Sequence, residues 1–136
     1  LKSIIATYDI KADEGITAGE GITADEGITA GWGITAGEGI TAGEGITADE
    51  GITAGCGIEA GEGITAGEGI TAGEGIEAKT FIQCEKRIFA GISIYNTEEN
   101  CQKDITCAEL RQGEICYGNL ILRKEINSER TDKDNL

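Results

Sequence analysis

The chain has 136 residues, one domain's worth, with 11 Lys+Arg against 25 Asp+Glu and a formal charge of -14. It contains no His, no Pro and no Met, but 22 Gly and 5 Cys. The lack of His excludes His-based acid–base catalysis, the usual serine or cysteine triads and His-ligated metal sites. The acidity argues against direct contact with nucleic acid or an anionic membrane, and no apolar run approaches the roughly 18 residues of a spanning helix.

The charge is concentrated. Between Ala12 and Ala78 there are fourteen acidic residues and no Lys or Arg, while the rest of the chain holds eleven of each sign. The acidic stretch is a repeat. Ile recurs every sixth residue from Ile4 to Ile94, sixteen times without a miss, and Ala follows it by two from Ala6 to Ala78. Ten hexads on the template GITAGE run from Gly15 to Glu74, and an eleventh, GIEAKT, opens at Gly75.

An even period suits strands. Ile and Ala two apart point to one face and the Thr between them to the other. A helix would rotate successive Ile residues around its axis and leave no apolar stripe. Gly-Ile-Thr-Ala therefore reads as a short strand, and the following Gly-Glu or Asp-Glu as a corner. Gly and Asp both tolerate the left-handed backbone expected of such a corner. Short strands joined by tight corners build an all-β, single-stranded parallel β-helix of triangular section, with about 18 residues per coil. About five coils are expected.

Two residues break the template where Glu is expected. Trp32, between Gly31 and Gly33, reads either as an exposed anchor for a partner or as a plate over its glycine neighbours. Cys56 reads as drift at a tolerant position.

After Ala78 the glycines thin out but the Ile register continues through FIQCEKRIFAGISIY. Residues 96–104 read as a loop, Ile105–Leu110 and Glu114–Leu122 as strands. The domain expectation is a β-helix over 1–95, a capping or dimerisation β segment over 96–122 and a polar tail over 123–136. A solenoid end needs a cap, and apolar edge strands there leave both a monomer and a homodimer open. The five cysteines form no C-x-x-C pair, which speaks against zinc. No charged-then-apolar leader opens the chain as given, and its start at Leu1, as in a fragment or trimmed chain, leaves a lost leader open. A reducing bacterial cytoplasm is the expected compartment.

These hexads resemble the hexapeptide-repeat parallel β-helix families, including bactofilin-like bacterial solenoids, over roughly residues 3–95. The resemblance implies architecture. It implies no activity, because the catalytic His of hexapeptide acyltransferases has no counterpart here, and in those enzymes the small inward residue usually precedes the aliphatic one.

The 18-residue period stacks the corner acids. It predicts the columns Glu20, Glu38, Cys56, Glu74; Glu14, Trp32, Glu50, Glu68; and Glu26, Glu44, Glu62. Stacked carboxylates repel, and no Lys is interleaved to relieve them. The 67 residues from Ala12 to Ala78 make about 3.7 coils, or roughly 18 Å of axis. Fourteen charges over that length is one per ~1.3 Å, against one per ~1.7 Å for duplex DNA. The expectation is a non-enzymatic DNA mimic, without cofactor or metal, whose partner is a basic nucleic-acid-binding protein such as a CRISPR effector. In this the chain resembles the acidic anti-restriction and anti-CRISPR proteins of phages and the pentapeptide-repeat solenoids that block gyrase. The candidate partner-binding residues are Asp25, Glu26, Glu44, Glu59, Glu62 and Glu77 on one side, and Asp13, Glu14, Trp32, Asp49, Glu50 and Glu68 on the next. Rival readings are a self-assembling structural solenoid whose acids only keep it soluble, a Ca²⁺ site, and ice binding through the ladder Thr17, Thr35, Thr53, Thr71. The missing Gly-Gly-x-Gly-x-Asp nonapeptide speaks against calcium, and one Thr per strand amid heavy charge speaks against ice.

Overall fold

The computed structural model describes residues 3–92 and 103–123. These residues are all β, with every strand pairing parallel, in a solenoid of about six turns and about 18 residues per turn. Strands are numbered in chain order. The first side stacks β1 (Ile4–Ala6), β4 (Ile22–Ala24), β7 (Ile40–Ala42), β10 (Ile58–Ala60) and β13 (Ile76–Ala78). The second stacks β2 (Ile10–Ala12), β5 (Ile28–Ala30), β8 (Ile46–Ala48) and β11 (Ile64–Ala66). The third stacks β3 (Ile16–Ala18), β6 (Ile34–Ala36), β9 (Ile52–Ala54) and β12 (Ile70–Ala72).

Each strand pairs with the strand 18 residues away, Ile on Ile and Ala on Ala, as in Ile16↔Ile34 and Ala18↔Ala36. From Ile16 to Ile88 every repeat Ile is buried, as is every partner Ala from Ala18 to Ala78, and no polar or charged residue is buried among the described residues. Identical Ile side chains about 4.8 Å apart interdigitate without water, as in a steric zipper. Fully burying each one contributes roughly 1.5–3 kcal/mol.

The backbone is satisfied between turns rather than within them. The Ile N–H donates to a Gly carbonyl of the next turn, as in Ile34 N to Gly51 O at 3.0 Å, and the corner N–H donates to an Ala carbonyl of the previous turn, as in Gly37 N to Ala18 O at 3.0 Å. From Asp25 to Lys79 every corner N–H finds such a partner, so these tight bends cost little in hydrogen bonding.

The reason for glycine at the corners differs from the sequence expectation. Positive φ occurs among the described glycines at Gly91, Gly113 and Gly118, none of which lies in the regular hexads. The corner glycines are needed because the neighbouring turn runs against them. A Cβ on Gly55 would lie 2.1 Å from the Gly37 carbonyl oxygen, and one on Gly61 2.0 Å from that of Gly43. Where Asp stands instead the turns ease apart slightly: Asp49 N lies 3.2 Å from Ala30 O, whereas Gly67 N lies 2.9 Å from Ala48 O.

Past Ala78 the bends change character, with glycine returning at the corner position in Gly91. β14 (Phe81–Ala90) runs through a corner as one ten-residue strand, with Glu85, Lys86 and Arg87 exposed at the bend. It pairs with β11 on one side and β12 on the other. β15 (Asp104–Cys107) then lies on β13 with Ile105 against Ile76. Ile105 thus continues the first-side ladder beside Ile76; Ile94, next in the six-residue spacing, and most of the loop expected at 96–104 fall outside the described residues. β16 (Glu109–Tyr117) pairs with β14 across three register shifts, and β17 (Asn119–Leu122) pairs with β15. The C-terminal strands therefore add a sixth turn to the five expected. They do so because Ile82, Ile88 and Ile105 offer the same inward apolar ledge to Leu110, Ile115 and Leu120.

The two kinds of glycine give a test. Gly55→Ala is expected to destabilise the fold by about 1–3 kcal/mol through overpacking against Gly37. Gly51→Ala, whose Cβ would sit 3.4 Å from Gly69 O, is expected to cost well under half of that. Urea unfolding of the two variants measures the difference, and equal losses would remove the close-approach explanation.

Candidate functional site: three carboxylate columns

The expected columns form along the corners, tied by backbone hydrogen bonds from each residue to the one 18 positions earlier. Glu38 N donates to Glu20 O at 2.9 Å, Cys56 N to Glu38 O at 3.0 Å and Glu74 N to Cys56 O at 3.1 Å. Trp32 N donates to Glu14 O, Glu50 N to Trp32 O and Glu68 N to Glu50 O, at 3.0–3.1 Å. Glu44 N donates to Glu26 O and Glu62 N to Glu44 O, both at 3.1 Å, and Glu26 itself is tied to Tyr8 O. The carboxylates are thus fixed in file by the main chain, while their side chains reach outward.

The first candidate group lies together on and beside the first side. Glu59 pairs with Glu77 in register on adjacent strands, and Asp25, Glu26, Glu44 and Glu62 line the corner that follows. The second group borders the second side, with Asp13 and Asp49 one residue ahead of Glu14 and Glu50 at the same corner, and Trp32 and Glu68 completing the column. All these acids are exposed except Glu26, which is half-buried, and Trp32 is 53% exposed.

Little cationic relief reaches them. Among the described residues the ion pairs are Lys11–Asp9 at 3.9 Å, Lys86–Glu68 at 3.9 Å, Arg87–Glu114 at 4.0 Å and Arg111–Glu109 at 3.1 Å. Only Glu68 belongs to the candidate set, and exposed pairs of this kind are worth little. Apart from Lys11 on β2, the described cations lie at the C-terminal end, from Lys79 onward. There Arg111 stacks on the Phe81 ring at 3.9 Å and Lys103 lies 5.5 Å from that of Tyr117.

Sequence reasoning passed over several features. A shallow groove on the first side places Asp104 beside Glu59, Glu74 and Glu77. The position of Asp104 could not be read from the repeat, because it depends on Ile105 taking the place that the spacing assigned to Ile94. Tyr8 and Ile5, 70% and 79% exposed, crown the first turn. Their signal was present in the sequence: both stand where the template has a polar residue.

No group of three or more metal-ligating side chains converges among the described residues. Cys84 and Cys107 take Ala-like inward positions and are buried. Comparison with protein-family models, curated proteins and solved structures gives no match for the chain.

Cys56 reports on the field of its column. Its thiol pKa is raised, first by desolvation and then by the negative charges of Glu74 and Glu38. A raised pKa lowers the thiolate fraction at any pH below it, and the thiolate is the nucleophile. In protein carrying Ser at Cys101 and Cys116, Cys56 is expected to alkylate more slowly at pH 8 than a free thiol. Glu38→Gln with Glu74→Gln, or added salt, is expected to speed it. Rates unmoved by both changes would show that the column carries no concentrated field.

Proposed function

We propose that the protein is a non-enzymatic binding protein that presents a dense anionic rod to a basic nucleic-acid-binding protein and occupies its channel as a DNA mimic. A CRISPR effector is one such partner; a restriction enzyme or topoisomerase presents the same chemistry. The observation that carries the reading is the in-register filing of exposed carboxylates along three corners with almost no paired cation. The spacing of about 4.8 Å between turns gives a charge per unit length at least that of a duplex. A channel evolved to release counterions from DNA would gain from this rod by the same means. The cytoplasm of a bacterial host is the compartment in which such a protein would act.

A structural solenoid is the second reading. It is favoured by the unpaired outer edges of β1, β2 and β3 at one end and of β16 and β17 at the other, among the described residues. Concentration-dependent filaments at physiological salt would favour it.

The mimic reading is tested by capture from bacterial lysate followed by competition. The retained protein should be basic, should be released by duplex DNA and should lose DNA binding when the rod is present. Combined Asp25→Asn, Glu26→Gln, Glu44→Gln, Glu59→Gln, Glu62→Gln and Glu77→Gln is expected to weaken capture about a hundredfold or more and to flatten its salt dependence. Full inhibition by this folded variant would end the proposal.

A further inference from the structure

The two aromatic residues that interrupt the acidic corners sit at places related by the solenoid. The second side is bounded by two corner columns. In the first turn those corners are Tyr8 and Glu14; in the next they are Glu26 and Trp32. The backbone bonds Glu26 N to Tyr8 O and Trp32 N to Glu14 O fix this order. Aromatic and carboxylate thus alternate across the face and along the axis, and both aromatics are largely exposed at 70% and 53%. Nothing in the core asks for them: the repeat places Glu at the Trp32 position and folds without an aromatic there in every neighbouring turn.

Resting on the mimic reading, the geometry points to the second side, at its β2–β5 end, as the docking face for an arginine-bearing helix of the partner. Charge complementarity fixes the sign of the occupant. The aromatics select arginine over lysine, because a guanidinium stacks flat on an aromatic ring while its edge still donates to a neighbouring carboxylate. The width suits a helix. The corner columns are six residues apart, at most about 20 Å across the strand, and a helix with its side chains is about 10–12 Å wide. The floor between them is formed by Asp9, Lys11, Gly27 and Thr29, with Gly27 N donating to Asp9 Oδ1 at 2.9 Å. Lys11 is drawn aside toward Asp9, 3.9 Å away.

Trp32 is the only tryptophan of the chain, so its emission reports on the face directly. The probes are two labelled Ala-based helical peptides of equal positive charge, one with Arg and one with Lys. The arginine peptide is expected to bind about fivefold tighter and to shift Trp32 emission. Trp32→Glu restores the residue of the repeat and adds charge; it is expected to keep binding of both peptides by anisotropy and to lose most of the arginine preference. Equal affinities for the two peptides, or an unchanged preference in Trp32→Glu, would overturn this inference and leave the mimic reading standing. Failure of both peptides to bind at low salt would overturn both.

Discussion

Everything in this protein follows from one contact repeated along an axis: a turn lying on an identical turn 18 residues away. The contact has an apolar part, Ile on Ile and Ala on Ala, and a polar part in which each strand and corner donates to its neighbour. Neither part is available to a single turn, which would expose both faces of its backbone and half of its Ile surface. Stability is therefore cooperative along the rod, as in other quasi-one-dimensional proteins. The approach is so close at the corners that the carbonyl of one turn occupies the space a Cβ would need in the next. Glycine is favoured here by close packing rather than for reversing the chain, and the turns part slightly where Asp25 and Asp49 replace it.

That same contact dictates where charge can go. A residue just after the corner glycine cannot turn inward, because the core is filled by Ile and Ala, so whatever stands there is displayed in file at about the inter-turn spacing. A solenoid made only to fold would gain by alternating Glu with Lys in such a file, since each would then lie between opposite charges. Between Ala12 and Ala78 the chain does not do so. The last two described turns show that cations are compatible with the architecture. Lys86 continues the column of Glu68, Arg87 faces Glu114, and Arg111 packs on Phe81. The segregation belongs to the sequence and is not imposed by the backbone.

How much could be read beforehand depended on how local the determinants were. The strand direction, the inward Ile and Ala, and the membership of each carboxylate column all follow from the six-residue spacing, and Ile22, Ile40, Ile58 and Ile76 lie where arithmetic put them. The arithmetic failed where the chain stopped being periodic. Ile94 fits the spacing, yet Ile105 fills the place beneath Ile76, because pairing with β13 depends on which later segment carries both an inward apolar pair and a free strand edge. Spacing alone cannot weigh that choice. The cause of the corner glycines was also hidden: a single hexad suggests a turn problem, and only the stacked neighbour shows that it is a clearance problem.

The departures from the repeat carry more functional information than the repeat does. A file of identical glutamates attracts any cation nearly equally, so it supplies affinity and rate with little discrimination. Discrimination needs groups that differ in shape or in the chemistry they prefer. The hexads offer few: Glu59 and Glu77 on the first side, Cys56 in the third column, and Tyr8 and Trp32 across the second side. Of these, the aromatics add stacking, which a guanidinium exploits and an ammonium does not, to the bidentate pairing that any carboxylate offers to arginine. They also stand at the end of the rod opposite the cation-rich last turns, and Lys11, the cation on β2 of that face, is already paired with Asp9. A partner attracted to the whole rod would thus be oriented by its first two turns.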